Sequence, residues 1–135
     1  MTLRELFTVL ERYAASVPDI RTTVENNVTK LNEMRAVEYG VFAITQGEHT
    51  SREGWTAYSL NLFYIDRLVN GQDNELEIQS HAIEVLKGIL KMAGEGGIDV
   101  GEARFTAFTD RFQDLCAGAY AAAVFTVPES DCVEL

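Results

Sequence analysis

Residues 54–68, GWTAYSLNLFYIDRL, constrain the fold more than any other part of the chain. They are rich in aromatic and branched residues and show no helical repeat, so they read as one β-strand, against an ordinary strand length of about five to six residues. Side chains alternate along a strand. Thr56, Tyr58, Leu60, Leu62 and Tyr64 therefore share one face, and Trp55, Ala57, Ser59, Asn61, Phe63 and Ile65 share the other. The first face is a core face. The second carries Trp55, Phe63 and Ile65 between small and polar residues, which suits partial burial against a helix or another subunit.

The rest of the chain supplies elements to pack against that strand. Leu3, Leu6, Phe7, Leu10, Tyr13 and Ala14 recur at helical spacing, with Arg4, Glu5, Glu11 and Arg12 opposite, and Thr2 with Glu5 fits a capping box. This predicts a helix from about Thr2 to Ala15, ended by residues 16–19 and Pro18. IRTTVENNVTKL (20–31) has β-branched residues on both sides of Glu25, Asn26 and Asn27, which predicts a short hairpin. AVEYGVFAITQG (36–47) alternates Val37, Tyr39, Val41 and Ala43 against Glu38, Gly40, Phe42 and Ile44, a second long strand with apolar residues on both faces. The polar bridge QGEHTSREG (46–54) would join the two long strands as an antiparallel pair with an exposed tip carrying His49 and Arg52.

After a polar connector at residues 70–74, Ile78, Ala82, Val85, Leu86, Ile89 and Ala93 mark a second helix. Asn74 with Glu77 suits its start, Lys87 and Lys91 its later turns, and Gly94 its end. EARFTAFTDRF (102–112) and AGAYAAAVFTV (117–127) read as two more strands, the latter closed by Pro128. The expected fold is one α+β domain over residues 1–135: a twisted antiparallel sheet of about four to five main strands flanked by two helices.

The 135 residues suffice for one core, and 21 acidic against 11 basic residues give a net charge of −10. That field repels phosphate and anionic lipid, so gripping of nucleic acid or of a membrane surface is disfavoured. The N-terminal helix is charged throughout, and no apolar run reaches the roughly 18 residues of a membrane span. A soluble, cytoplasmic protein is the expectation.

Side chains that could carry chemistry are sparse. Cys116 and Cys132 lie 16 residues apart without a C-x-x-C pattern and read as ordinary thiols. His49 falls in the polar tip and His81 on the second helix beside Ser80; both read as structural or surface residues. Glu75, Glu77 and Glu84 lack the spacing of a calcium loop, and GEGG (94–97) lacks the Lys-Ser/Thr of a phosphate loop. The chain is expected to be no enzyme, with no catalytic residue, metal or cofactor. One echo stands out: FYIDRL (63–68) and FTDRF (108–112) each end a strand with adjacent Asp and Arg. Asp66, Arg67, Asp110 and Arg111 are candidates for ion pairs across strands or subunits.

Taken together, the order of elements and the stretches AVEYGVFAITQGEH, GWTAYSLNLFYIDRL, NELEIQSHAIEVL and FTDRFQDLCAGAYAAAVFTVP resemble prophage-encoded tail terminator, or tail completion, proteins. The resemblance spans nearly the whole chain and carries over no catalytic residue. It implies a homo-oligomeric ring, usually a hexamer, that caps the phage tail tube and offers neck or head proteins a docking surface. DNA would pass through the axial hole without specific binding. The protein would be cytoplasmic during assembly and then part of the virion tail. Its candidate subunit or partner contacts are Trp55, Asn61, Phe63, Ile65, Asp66, Arg67, Asp110, Arg111, His49 and Arg52. A neck or head–tail connector of the same assembly is the nearest alternative, and a small-ligand-binding α+β domain a more distant one.

Overall fold

In the computed structural model, residues 1–34, 37–68, 74–111 and 114–129 are described. Cys132 and most of the 70–74 connector lie outside them. Chain order is α1 (Leu3–Ala15), β1 (Thr22–Glu25), a 3₁₀ turn (Val28–Glu33), β2 (Val41–Gln46), β3 (Thr50–Arg52), β4 (Trp55–Arg67), α2 (Glu75–Glu95), β5 (Asp99–Val100), β6 (Arg104–Arg111) and β7 (Leu115–Pro128). The α+β class is as expected, with seven strands among the described residues rather than about four to five main ones.

Two long strands organise the sheet. β4 pairs with β7 in antiparallel register from Trp55↔Pro128 to Arg67↔Cys116. On the far flank of β4 lie β2, opposite Leu60–Ile65, and β3, opposite Trp55–Ala57. On the far flank of β7 lie β6, opposite Leu115–Ala122, and β5, opposite Phe125 and Thr126. β4 and β7 approach so closely at one point that only glycine fits: a Cβ on Gly118 would stand 2.0 Å from the Tyr64 carbonyl oxygen.

One face of the sheet carries both helices. Phe42, Ile44, Leu60, Leu62, Tyr64, Phe125 and Val127 pack there with Leu6, Phe7 and Leu10 of α1 and Val85, Leu86 and Ile89 of α2. Ala119, Ala121 and Ala123 of β7 belong to the same core, and their small side chains let α2 lie close to the strand. α1 starts as read from sequence: Thr2 Oγ1 accepts from the Glu5 N–H at 3.1 Å, and Glu5 Oε1 accepts from the Thr2 N–H at 2.8 Å.

Several local expectations change. Residues 20–31 are not a hairpin: β1 runs parallel to β2, Asn26 adopts φ +71°, and Asn27 caps the 3₁₀ turn by accepting from the Thr29 N–H. The turn residues were legible, but Leu31 is fully buried on the sheet's second face, which draws the chain across it instead of back alongside β1. β2 begins only at Val41, although Val37 and Tyr39 still pack on the face that alternation assigned them. The polar bridge is not one open tip. Thr50–Arg52 pair with β4, and the chain reverses at Glu53–Gly54, where Gly54 takes φ +82°.

The Asn74 side chain makes no capping hydrogen bond, and α2 runs through Gly94 to Glu95, with the left-handed position at Gly97 (φ +94°). No basic residue falls in its last turn; Lys87 instead lies 3.5 Å from Glu84.

Candidate assembly surface

The second face of the sheet divides into a covered and an open half. In the covered half Val24, Leu31, Val41, Ala43, Ile65 and Cys116 form a second apolar cluster beneath the 3₁₀ turn, with Val28, Met34, Tyr39, Phe63 and Phe108 around it. Tyr39 donates to Asp114 Oδ2 at 2.9 Å, and burial, followed by Cys116 and Asp114, pushes its phenol well above the ordinary tyrosine range. Burial likewise pushes the Cys116 thiol up, so it is not a reactive thiolate.

The open half continues the same face toward the Trp55 end of β4. Its boundary is aromatic: the Phe63 ring meets Tyr120 at 5.1 Å and Phe108 at 6.0 Å. Beyond them the side chains become small, and Trp55 and Val124 are 48% and 39% exposed. Thr50, Arg52, Trp55, Ala57, Asp99 and Thr126 line a shallow depression of about 520 Å³ there. A second, of about 300 Å³, brings together Glu48, Ser59, Asn61, Glu102, Arg104 and Val124. Arg52 and Arg104 thus interleave with Asp99, Glu48 and Glu102, in a chain whose charge is otherwise strongly negative.

The residues expected at contacts fall into different places. Trp55, Asn61 and Arg52 lie on the open half, where Asn61 Nδ2 donates to Thr45 Oγ1 at 3.3 Å. Phe63 is half-buried at the boundary, and Ile65 is fully buried beneath the 3₁₀ turn. His49 is held where β2 breaks from β3. Its Nδ1 accepts from the Ser59 N–H at 3.2 Å, its Nε2 meets Gln46 Oε1 at 2.9 Å, and its ring stands edge-on to Tyr58. The imidazole therefore takes the place of a missing ladder acceptor.

Asp66 and Arg67 lie at the opposite end of β4, where Asp66 Oδ1 accepts from the Arg67 N–H at 2.8 Å. Arg67 and Asp110 both stand in register with Cys116, from either flank of β7, and Arg111 is in register with Leu115. His81 meets Asp19 Oδ2 at 2.8 Å and packs edge-on against Tyr64.

One cluster had no signal in the sequence. Arg4 of α1 grips Glu25 of β1 through two bonds of 2.7 and 3.0 Å, and Glu11 sits beside that carboxylate. Partial burial, and then the neighbouring Glu25, raise the Glu11 pKa to about 7. The Arg4 contact holds Glu25 below the ordinary carboxylate range. Residues 11 and 25 meet only because β1 is carried under α1, which their spacing does not reveal.

Among the described residues, no group of three or more His, Cys, Asp or Glu side chains is arranged to hold a metal ion. Nor is any described helix long and apolar enough to cross a membrane. Compared with known protein families and with curated proteins, the chain matches none.

Proposed function

We propose that this protein is a structural subunit that assembles with copies of itself through the open half of its sheet, as a ring of the tail-terminator kind that the sequence resembles. The observation that carries this reading is the exposure of Trp55 and Val124 on a sheet face whose other half is sealed by the chain itself. Two large apolar side chains left to water on a flat sheet face favour a partner. The mixed charges around it let like subunits meet without the repulsion that the net charge of −10 would otherwise impose. In a ring the remaining acidic surface would face the lumen and rims, so that DNA slides past without being held.

Sedimentation of the purified protein, with micrographs of whatever assembles, tests the reading. Closed rings that dissolve on Trp55→Ser substitution support it, as does the lack of salt-sensitive duplex binding. A strictly monomeric protein, or tight DNA binding at low salt, overturns it. Ring binding to isolated tail tube rather than to portal separates terminator from connector.

A further inference from the structure

Among the described residues the sheet ends on β6, and the direction of its backbone groups can be read from bonds at its margins. The Gly101 N–H donates to the Val124 carbonyl, whereas the Leu115 carbonyl accepts from Leu68 and the Glu129 N–H donates to Gly54, on the β4 side. Because β7 keeps one register with β4 along its whole length, its even-numbered residues bond toward the β5 and β6 flank, and its odd-numbered ones toward β4. Arg104, Thr106, Phe108 and Asp110, which are paired with even-numbered residues of β7, therefore bond inward. The N–H and C=O groups of Phe105, Ala107 and Thr109 point out of the sheet.

This edge keeps its charged residues, Arg104, Asp110 and Arg111, at its two ends and leaves its centre, Phe105–Thr109, uncharged. β6 is an eight-residue strand without proline or lysine. The opposite edge, β1, has four residues and leads at once into the left-handed Asn26 and the 3₁₀ turn. Ala107 and Thr109 are exposed. Beside the same edge, Glu75 and Gln79 of α2 reach Thr109, and Leu76, on that turn of the helix, is 72% exposed.

We infer that β6 pairs in antiparallel fashion with β6 of a second copy, about a two-fold axis at Ala107, extending the sheet across two chains. The occupant is identified by charge complementarity. Outward-pointing residues must face one another, so only registers that set odd-numbered residues opposite odd-numbered residues are open. Centring on Ala107 places Phe105 opposite Thr109, Thr106 opposite Phe108, and Arg104 of each chain opposite Asp110 of the other. Shifting one step so that Thr106 meets itself sets Arg104 opposite Phe108 and carries Asp110 past the end of the partner's β6. Shifting the other way takes Asp110 off Arg104 and onto Thr106. The centred register alone gives opposite charges at both ends, and in it every outward N–H and C=O finds a partner. This pairing uses the backbone edge of β6, whereas the ring uses the open sheet half; Arg104 borders both, so the test is made with the open-face contact removed.

The test uses the full chain carrying Trp55→Ser, to remove the open-face contact, and Cys132→Ser, leaving Cys116 buried as the only other thiol. Ala107→Cys places two thiols directly opposite one another, where Cα atoms about 5.5 Å apart suit a disulfide. Thr109→Cys places them four residues out of register. Mild oxidation should cross-link the first variant and not the second. Arg104→Asp should weaken dimerisation roughly tenfold or more, and adding Asp110→Arg should restore it, because the opposed charges are exchanged in sign. Circular dichroism confirms that each variant is folded. A monomer throughout, equal cross-linking at both positions, or an Arg104→Asp loss that Asp110→Arg does not recover would overturn the pairing.

Discussion

The two faces of the β4–β7 pair solve the same problem differently. On the helix side, Leu60, Leu62, Tyr64, Phe125 and Val127 lie under α1 and α2 along nearly the whole length of the strands. On the other side, one 3₁₀ turn seals only the end around Ile65 and Cys116, and the face runs on uncovered to Trp55 and Val124. The difference lies in what each face carries: large aliphatic and aromatic residues where helices cover it, and Ala57, Ser59, Asn61, Ala122 and Thr126 where no described residue does. Small and polar residues leave a face that is stable in water yet flat enough to receive another molecule. Burial therefore marks the core, and its interruption marks the surface proposed for assembly.

The strongest test of that contrast acts on both faces together. Gly118→Val would drive a side chain into the Tyr64 carbonyl and force β4 and β7 apart. Urea unfolding should show a loss on the order of 4 kcal/mol, or no folded protein at all. Next, Leu86→Ala, at a fully buried site on the helix side, should cost about 2–5 kcal/mol. Val124→Ala on the open half should stay within about 0.5 kcal/mol. Equal losses at the two sites would mean that the halves do not differ. Thr2→Ala, which removes the cap that starts α1, should cost about 1 kcal/mol by the same measurement.

The smallest effect is pH-dependent and reports the junction of α1 with β1. Glu11 is raised to about 7, so its stabilising contribution is complete below the ordinary carboxylate range and is lost as pH rises through about 7. Glu25 is shifted the other way by Arg4, so its contribution appears above the ordinary carboxylate range and fades as pH falls through its lowered pKa. The melting temperature should therefore decline between about pH 5 and pH 7 and level off above it. Glu11→Gln should flatten that decline, and an unchanged slope in the variant would assign it to another group.

How far the sequence could be read follows from which forces are local. The Thr2–Glu5 cap, the stripe from Ile78 to Ala93 and the alternation along β4 are properties of neighbouring residues, and each appears where it was expected. Partner choice is not local. Thr22–Glu25 carried strand and turn signals, but those signals specify conformation, and the parallel pairing with β2 was decided by burying Leu31 and Val24 on the second face. β5 has two residues, too few for any periodicity, and is held by register with Phe125 and Thr126. Of the candidate contacts, Trp55, Asn61 and Arg52 share the open half because alternation and cross-strand pairing place them there. Ile65 was on the correct face but at its sealed end, a distinction set by where the 3₁₀ turn lies.

The chain contains a single tryptophan, Trp55, so its fluorescence reports the open half directly. The measurement is Trp55 emission and acrylamide quenching against protein concentration, alongside sedimentation mass, in an Ala107→Pro background. That substitution removes an outward N–H of β6, at an edge position where a strand tolerates proline. Dilute protein should show solvent-exposed emission and ready quenching, and both should shift to the blue, protected state as the mass rises. Assembly that leaves Trp55 as exposed as in the monomer, or a mass that never rises, would contradict the claim that this half of the sheet is where copies meet.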